Sequence, residues 1–329
     1  MSKIWSFIQV GLGGFGKTWC TGVIPEIASF ARPVAAVDIN PETFENAVRY
    51  AGVPRERCYT DLRRALAENR ADFITIVTPP AFHEQAIELA LEFSCDIVCE
   101  KPVGESIDSC CRIYQKVKAA GRKMIVTMSH RMSQDKQSLE KLLRSGKYGD
   151  LNYLVARLCM TRRRTRIERL TPGHNEGACG ILSEAAIHQL DILRAMSDSN
   201  AKTVYARCWR PSWHPGESGF HDSCFVDVEM ENGVQAHCEQ SFVNAAVLNE
   251  WGQDYIRAEC DKATVLLDKR QLEARCDLGF PHPKVERLPM LESAKGWSHQ
   301  LLLRQFADWL EGGEEPCCSA EGRKKFQRR

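Results

Sequence analysis

No apolar stretch in this sequence reaches the roughly 18 residues that a membrane-spanning helix requires, so a soluble protein without a membrane partner is expected. Net charge is nearly absent as well. The 44 lysines and arginines stand against 43 acidic residues, leaving +1, a balance that gives no support to a nucleic-acid partner. The one dense basic cluster, Arg162, Arg163, Arg164, Arg166 and Arg169, reads first as a solvated face and second as a surface for anionic groups. Also missing is any Cys-x-x-Cys pair. The 15 cysteines are many, but their number is odd and some, such as Cys95 and Cys99, sit inside apolar runs. A zinc site or a secreted disulfide framework is therefore not expected, no metal is assigned, and reduced thiols in a cytoplasm fit better. Strand-like residues begin at Ile4, so no signal peptide is expected. What is present, 43% hydrophobic and 26% charged residues over 329 positions, is material for about two globular domains.

The first half alternates short β-rich runs with helical stretches. Strands are expected at Ile4 to Val10, Val34 to Val37, Phe73 to Val77, Ile97 to Cys99 and Met124 to Thr127. Helices are expected at Gly14 to Ser29, Pro41 to Tyr50, Asp61 to Glu68, Phe82 to Phe93 and Ile107 to Ala120. Strict alternation implies a parallel sheet covered on both faces, whose buried strands read as continuous apolar runs. The fold class is thus α/β, with an N-terminal Rossmann domain over residues 1–128.

The first strand ends in Gly11-Leu12-Gly13-Gly14-Phe15-Gly16, which supplies Gly-x-Gly-x-x-Gly where a helix begins. Gly11 permits the tight turn, Gly13 lets a pyrophosphate approach the backbone, and Gly16 lets helix and strand pack closely. Asp38, at the end of the second strand, accepts hydrogen bonds from ribose hydroxyls and repels a 2′-phosphate. No arginine follows it, since the next residues are Ile39, Asn40 and Pro41, so NAD is favoured over NADP. A further turn on the same edge, Thr78-Pro79-Pro80, precedes His83, which reads equally as an ordinary helix N-terminal residue and as a cofactor contact. Glu100-Lys101-Pro102 closes the fourth expected strand.

Taken together, the glycine loop, Thr78-Pro79-Pro80 and Glu100-Lys101-Pro102 resemble the glucose-fructose oxidoreductase, inositol dehydrogenase and MocA family (Gfo/Idh/MocA) over nearly the whole chain. The resemblance implies a second, α+β domain over residues 129–329 with a large, mostly antiparallel open sheet often used for oligomer contacts, hence a homodimer or homotetramer. The second half agrees on its own terms. Ser133 to Ser145 reads as an amphipathic helix, and Leu151 to Met160, Lys202 to Trp209, Cys224 to Met230, Gly233 to Ser241, Asp254 to Cys260 and Ala263 to Leu267 read as strands, with Glu231-Asn232-Gly233 as a hairpin turn. Between the first two of these strands, Gly177 to Asp191 resembles the family's second signature. At 100° per residue, Glu184, His188 and Asp191 share one helix face; the alternative is a solvent-facing polar stripe.

For a secondary alcohol and NAD, the cofactor takes the hydride and the protein handles the hydroxyl proton. Lys101, if desolvated beside a positively charged nicotinamide, would have its pKa lowered, and either Lys101 or His188 can serve as base in oxidation and acid in reduction. The resemblance adds the acid four residues before the histidine, here Glu184, where the family most often has aspartate; Ala186 replaces a frequent glycine, and Ala178 and Cys179 replace two more. Asp191 and Arg131, with His130, are further candidates for contact with a hydroxylated small molecule, Arg131 reading equally as a structural ion-pair partner. Two other readings stay open: redox-assisted elimination or glycoside cleavage with bound NAD, and a non-catalytic dinucleotide-binding regulator. The loop Trp209 to Phe220 is a candidate wall of the substrate cleft, and Glu321 to Arg329 is expected to fray.

Overall fold

The computed structural model describes residues 3–162, 180–213, 221–279, 282 and 284–321. Most of the arginine cluster, Gly177-Ala178-Cys179, His214 to Phe220 and the last eight residues lie outside these. The chain divides into two compact units, one of residues 3–129 with 294–321 and one of residues 130–293. The segment from Ala294 onward thus folds with the first unit, whereas the sequence reading assigned everything beyond 128 to the second domain.

In the first unit, strands β1 (Trp5–Val10), β2 (Ala31–Val37), β3 (Cys58–Tyr59), β4 (Phe73–Ile76), β5 (Asp96–Cys99) and β6 (Met124–Val126) form a parallel sheet in the order β3-β2-β1-β4-β5-β6. Phe7, Ile8, Ile74, Ile76, Ile97 and Val98 have no exposed surface, because helices cover both faces. β3, two residues long, is too short to carry a pattern. Chain order reverses between β1 and β4, so the turns after β1, β4 and β5 all leave the same sheet edge beside that switch point.

The expected helix from Gly14 is interrupted. Gly14–Thr18 is α-helical, Trp19–Val23 is a π-helical turn and Ile24–Ile27 is α-helical again. Pro25 has no amide to give to the preceding turn, which opens the ladder there. A helix absent from the sequence reading, Ser298–Leu310, buries Leu302, Leu303 and Phe306, the last edge-on to Phe73 at 5.4 Å.

The second unit carries an eight-stranded sheet of β7 (Leu151–Cys159), β8 (Ala201–Trp209), β9 (Ser223–Met230), β10 (Gln235–Ser241), β11 (Tyr255–Cys260), β12 (Thr264–Asp268), β13 (Gln271–Cys276) and β14 (Lys284–Leu288). Its order is β14-β13-β12-β11-β7-β10-β9-β8, antiparallel except for the β7–β10 pair. Alternate residues of β7, β9 and β10 point into a core shared with helices Gln134–Arg144 and Ile187–Ser197. At the β9–β10 hairpin Gly233 takes φ +89°, while Asn232 keeps an ordinary φ and accepts the Val234 amide on its side chain.

Strands β13 and β14 escaped the sequence reading for a definable reason. The turn between β12 and β13 is Lys269-Arg270, both at positive φ (47° and 63°), a conformation that Asn-Gly normally announces. Among the described residues no disulfide is present, no helix is long and apolar enough to cross a membrane, and no group of three His, Cys, Asp or Glu is placed to hold a metal ion.

Candidate active site

The glycine loop is shaped by steric necessity. Gly11 sits at φ +92°, and a Cβ there would lie 2.5 Å from the Val77 carbonyl oxygen, so the β1 and β4 turns meet backbone to backbone. A Cβ on Gly16 would lie 2.3 Å from the Gly11 carbonyl oxygen, which is the close helix–strand packing expected of the third glycine. Gly13 differs, since a Cβ there would meet only Thr43 Cγ2, at 3.6 Å. Its lack of a side chain is not required by the protein's own packing. It leaves room for an approaching pyrophosphate, and the loop fits a dinucleotide on this ground.

Asp38 closes the loop from the next strand. Its Oδ2 accepts the amides of Leu12 (2.7 Å) and Gly13 (3.2 Å), and its Oδ1 accepts that of Asn40 (2.9 Å). The carboxylate thus holds the loop as well as standing where a ribose is expected. His83 departs from expectation. It is fully buried, with Nε2 2.8 Å from the Thr78 carbonyl and Nδ1 3.3 Å from Cys99 Sγ, and burial pushes its pKa down. Both ring nitrogens are engaged inside the core, so His83 braces the Thr78-Pro79 turn.

After β5, Glu100 is buried and Lys101 is half-buried, and the Lys101–Pro102 peptide is cis. Glu100 Oε1 accepts Trp19 Nε1–H at 3.0 Å and lies 3.5 Å from His299 Nε2; Oε2 accepts the Lys101 amide at 3.2 Å. Burial alone would raise the Glu100 pKa, but His299 and Trp19 hold it below the usual carboxylate range. His299 also lies 3.2 Å from Ser129 Oγ and packs near Phe15 and Trp19 (ring centroids 6.2 and 5.5 Å). The sequence reading missed His299 and Trp19, since nothing local links a histidine in the last helix to a glutamate after β5.

In the second unit, Leu182–Ala186 is a π-helical turn leading into the helix Ile187–Ser197. The even 100° step assumed from sequence fails in the wider turn, and the three polar residues do not share one environment. Glu184 is exposed, His188 is buried, and Asp191 is half-buried with its Oδ2 3.2 Å from Arg131 Nε. Arg131 is therefore an ion-pair partner of Asp191.

His188 stands in an assembly that sequence did not reveal. Its ring is T-shaped to His130 (5.5 Å) and to Trp251 (5.2 Å), while His130 and Trp251 lie 4.5 Å apart at 32°. Beneath them Asp254, fully buried, has Oδ1 3.0 Å from His130 Nε2 and accepts Gln189 Nε2 at 2.6 Å. Its Oδ2 pairs with Lys136, itself without solvent exposure and 2.9 Å from Asp135 Oδ2. Burial would raise the Asp254 pKa, but His130 and Lys136 outweigh it and hold the carboxylate far below its ordinary value. Elsewhere in this unit Trp209 and Trp213, the described part of the expected aromatic loop, line a cleft of about 370 Å³ with Glu239, Gln240, Asn244 and Leu248.

Sheet order, glycine loop and Asp38 define the first unit as a dinucleotide-binding Rossmann domain. Comparison with known proteins takes this further. The profile described as an oxidoreductase family with an NAD-binding Rossmann fold matches residues 6–128, and that of the GFO/IDH/MocA C-terminal domain matches residues 137–265. Protein y4oX of Sinorhizobium fredii is 32% identical over 322 residues, covering 93% of this chain and 86% of its own. Inositol 2-dehydrogenase 1 of Paenarthrobacter aurescens is 26% identical over 248 residues, covering 74% of this chain and 69% of its own. The WlbA dehydrogenase of Bordetella pertussis, solved with NADH and UDP-GlcNAcA, aligns with a TM-score of 0.78 at 20% identity over 97% of this chain and 91% of that one. The chain belongs to the Gfo/Idh/MocA oxidoreductase family, and its first unit binds NAD.

Proposed function

We propose that this protein transfers a hydride between NAD and a secondary alcohol of a sugar, polyol or related hydroxylated small molecule, with Lys101 and His188 handling the hydroxyl proton. The observation that carries the reading is the placement of Lys101. It leaves β5 on the sheet edge from which the glycine loop leaves β1, two strands away, and its own amide is fixed by the buried Glu100. Gly11 to Gly16, Asp38, Thr78 and Pro79 hold the cofactor, which supplies the hydride acceptor when bound. The proton released as the C–H and O–H bonds of the alcohol break goes to the amine of Lys101 or the imidazole of His188. Glu184, Asp191 and Arg131 contact substrate hydroxyls, directly or by orienting His188. Relatives named for inositol and solved with a nucleotide-linked sugar support a hydroxylated ring as the substrate.

Asp38 favours NAD, because a carboxylate that already anchors the loop repels a 2′-phosphate and is followed by exposed Ile39, not by an arginine. We further propose that the protein self-associates through the β8 side of its second sheet, where Val204, Tyr205 and Trp209 are exposed. The reaction is tested by offering polyols, sugars and sugar acids with NAD or NADP and following nicotinamide absorbance. Reduction of NAD by at least one ring polyol or sugar is expected. Silence across the panel overturns the reading, and a preference for NADP overturns the role of Asp38.

A further inference from the structure

We infer that Trp251 is the platform on which a ring-shaped substrate lays its C–H face beside His188. The inference rests on the proposed role of His188 and narrows the substrate class to cyclic polyols and sugars. Exposed apolar side chains are ordinary when they stand singly, and Trp251, 47% exposed, would need no explanation but for what supports it. Its indole rests on His130 at 4.5 Å and meets His188 edge-on at 5.2 Å. His130 is pinned in turn by Asp254, which Lys136 and Gln189 hold from below, all three with no exposed surface.

Burying a lysine with two carboxylates is costly unless geometry and hydrogen bonds repay the desolvation. What it does provide is a fixed support for a half-exposed ring next to the imidazole. The face of an indole carries negative quadrupole charge and attracts weakly positive C–H groups. Pyranose and cyclitol rings present such groups as a flat patch with their hydroxyls around the rim, so a ring on Trp251 has rim hydroxyls beside His188. An open-chain polyol has no such patch and gains little from the indole.

The test compares wild type, Trp251→Ala and Trp251→Phe on myo-inositol and glucose, as rings, and on sorbitol, as an open chain. Trp251→Ala is expected to raise KM for the rings about tenfold while moving kcat much less and leaving KM for sorbitol and NAD affinity unchanged; Trp251→Phe recovers most of the loss. An unchanged ring KM, or equal losses on ring and chain, overturns the inference while leaving the oxidoreductase reading intact. Should wild type oxidise none of the three, saturation-transfer NMR of myo-inositol with the NAD-bound protein decides in the same way. Ring C–H signals lost in Trp251→Ala support the platform, and signals absent from wild type or undiminished in the variant overturn it.

Discussion

The glycine loop and the assembly around His188 are both exacting, yet they are built by opposite means. The loop is made of backbone: six consecutive residues whose close approaches at Gly11 and Gly16 leave no room for a side chain, closed by one carboxylate from the next strand. The assembly is made of side chains: His130 is joined to Asp254 across 124 positions and Gln189 to Asp254 across 65. A backbone device serves a feature that every dinucleotide shares, its phosphates. A side-chain device can vary with the substrate.

Substitutions can separate the two devices. The largest effect is expected from Lys101→Ala, with turnover falling about a thousandfold while NAD titration by fluorescence is unchanged; unaltered turnover would remove Lys101 from proton transfer. Next comes Asp254→Asn, which leaves Lys136 buried against a weaker partner and is expected to cost about 3–5 kcal/mol by denaturant unfolding, with hydrogen exchange accelerated in the second unit. A cost near zero would mean that the assembly does not hold the unit together.

Within the loop, Gly11→Ala and Gly13→Val should behave differently. Alanine at 11 meets the Val77 carbonyl in a left-handed backbone and is expected to cost about 1–3 kcal/mol of stability. Valine at 13 has room in the protein, so it should spare the melting temperature and abolish NAD binding. NAD binding that survives Gly13→Val would reduce the loop to a turn. The smallest effect concerns pH. The folded-state pKa of Glu100 lies below its ordinary value, so its contribution to stability is present above the ordinary carboxylate pKa and lost as pH falls through the folded one. Glu100→Gln should therefore flatten the acid limb of the stability curve slightly, and an unchanged limb would contradict the burial-and-pairing account.

How much of this was legible in the sequence follows the same division. The parallel sheet could be read because every strand but β3 is a short apolar run closed by a turn, and the loop because its four glycines fall within six consecutive residues. Lys101 was legible as the end of an apolar strand followed by proline. The β12–β13 turn was not, because Lys269 and Arg270 adopt positive φ without the residues that usually signal it. Arg131 could be read as an ion-pair partner, but that Asp191 pairs with it could not, nor could the contact of His299 with Glu100, since tertiary packing alone brings such residues together. The two readings of His83 could not be separated, because a histidine after a turn looks the same in sequence whether its ring faces outward or, as here, into the core.

The central claim is that a hydride passes from a carbinol carbon to NAD while the protein takes the hydroxyl proton. A ring substrate carrying deuterium at the carbinol carbon tests it most directly, with NMR of the nicotinamide produced. The account predicts one deuterium at nicotinamide C4 for each ketone formed, and no such product from Lys101→Ala on the same timescale. Substrate consumed without net NADH, or deuterium recovered in water, would contradict it.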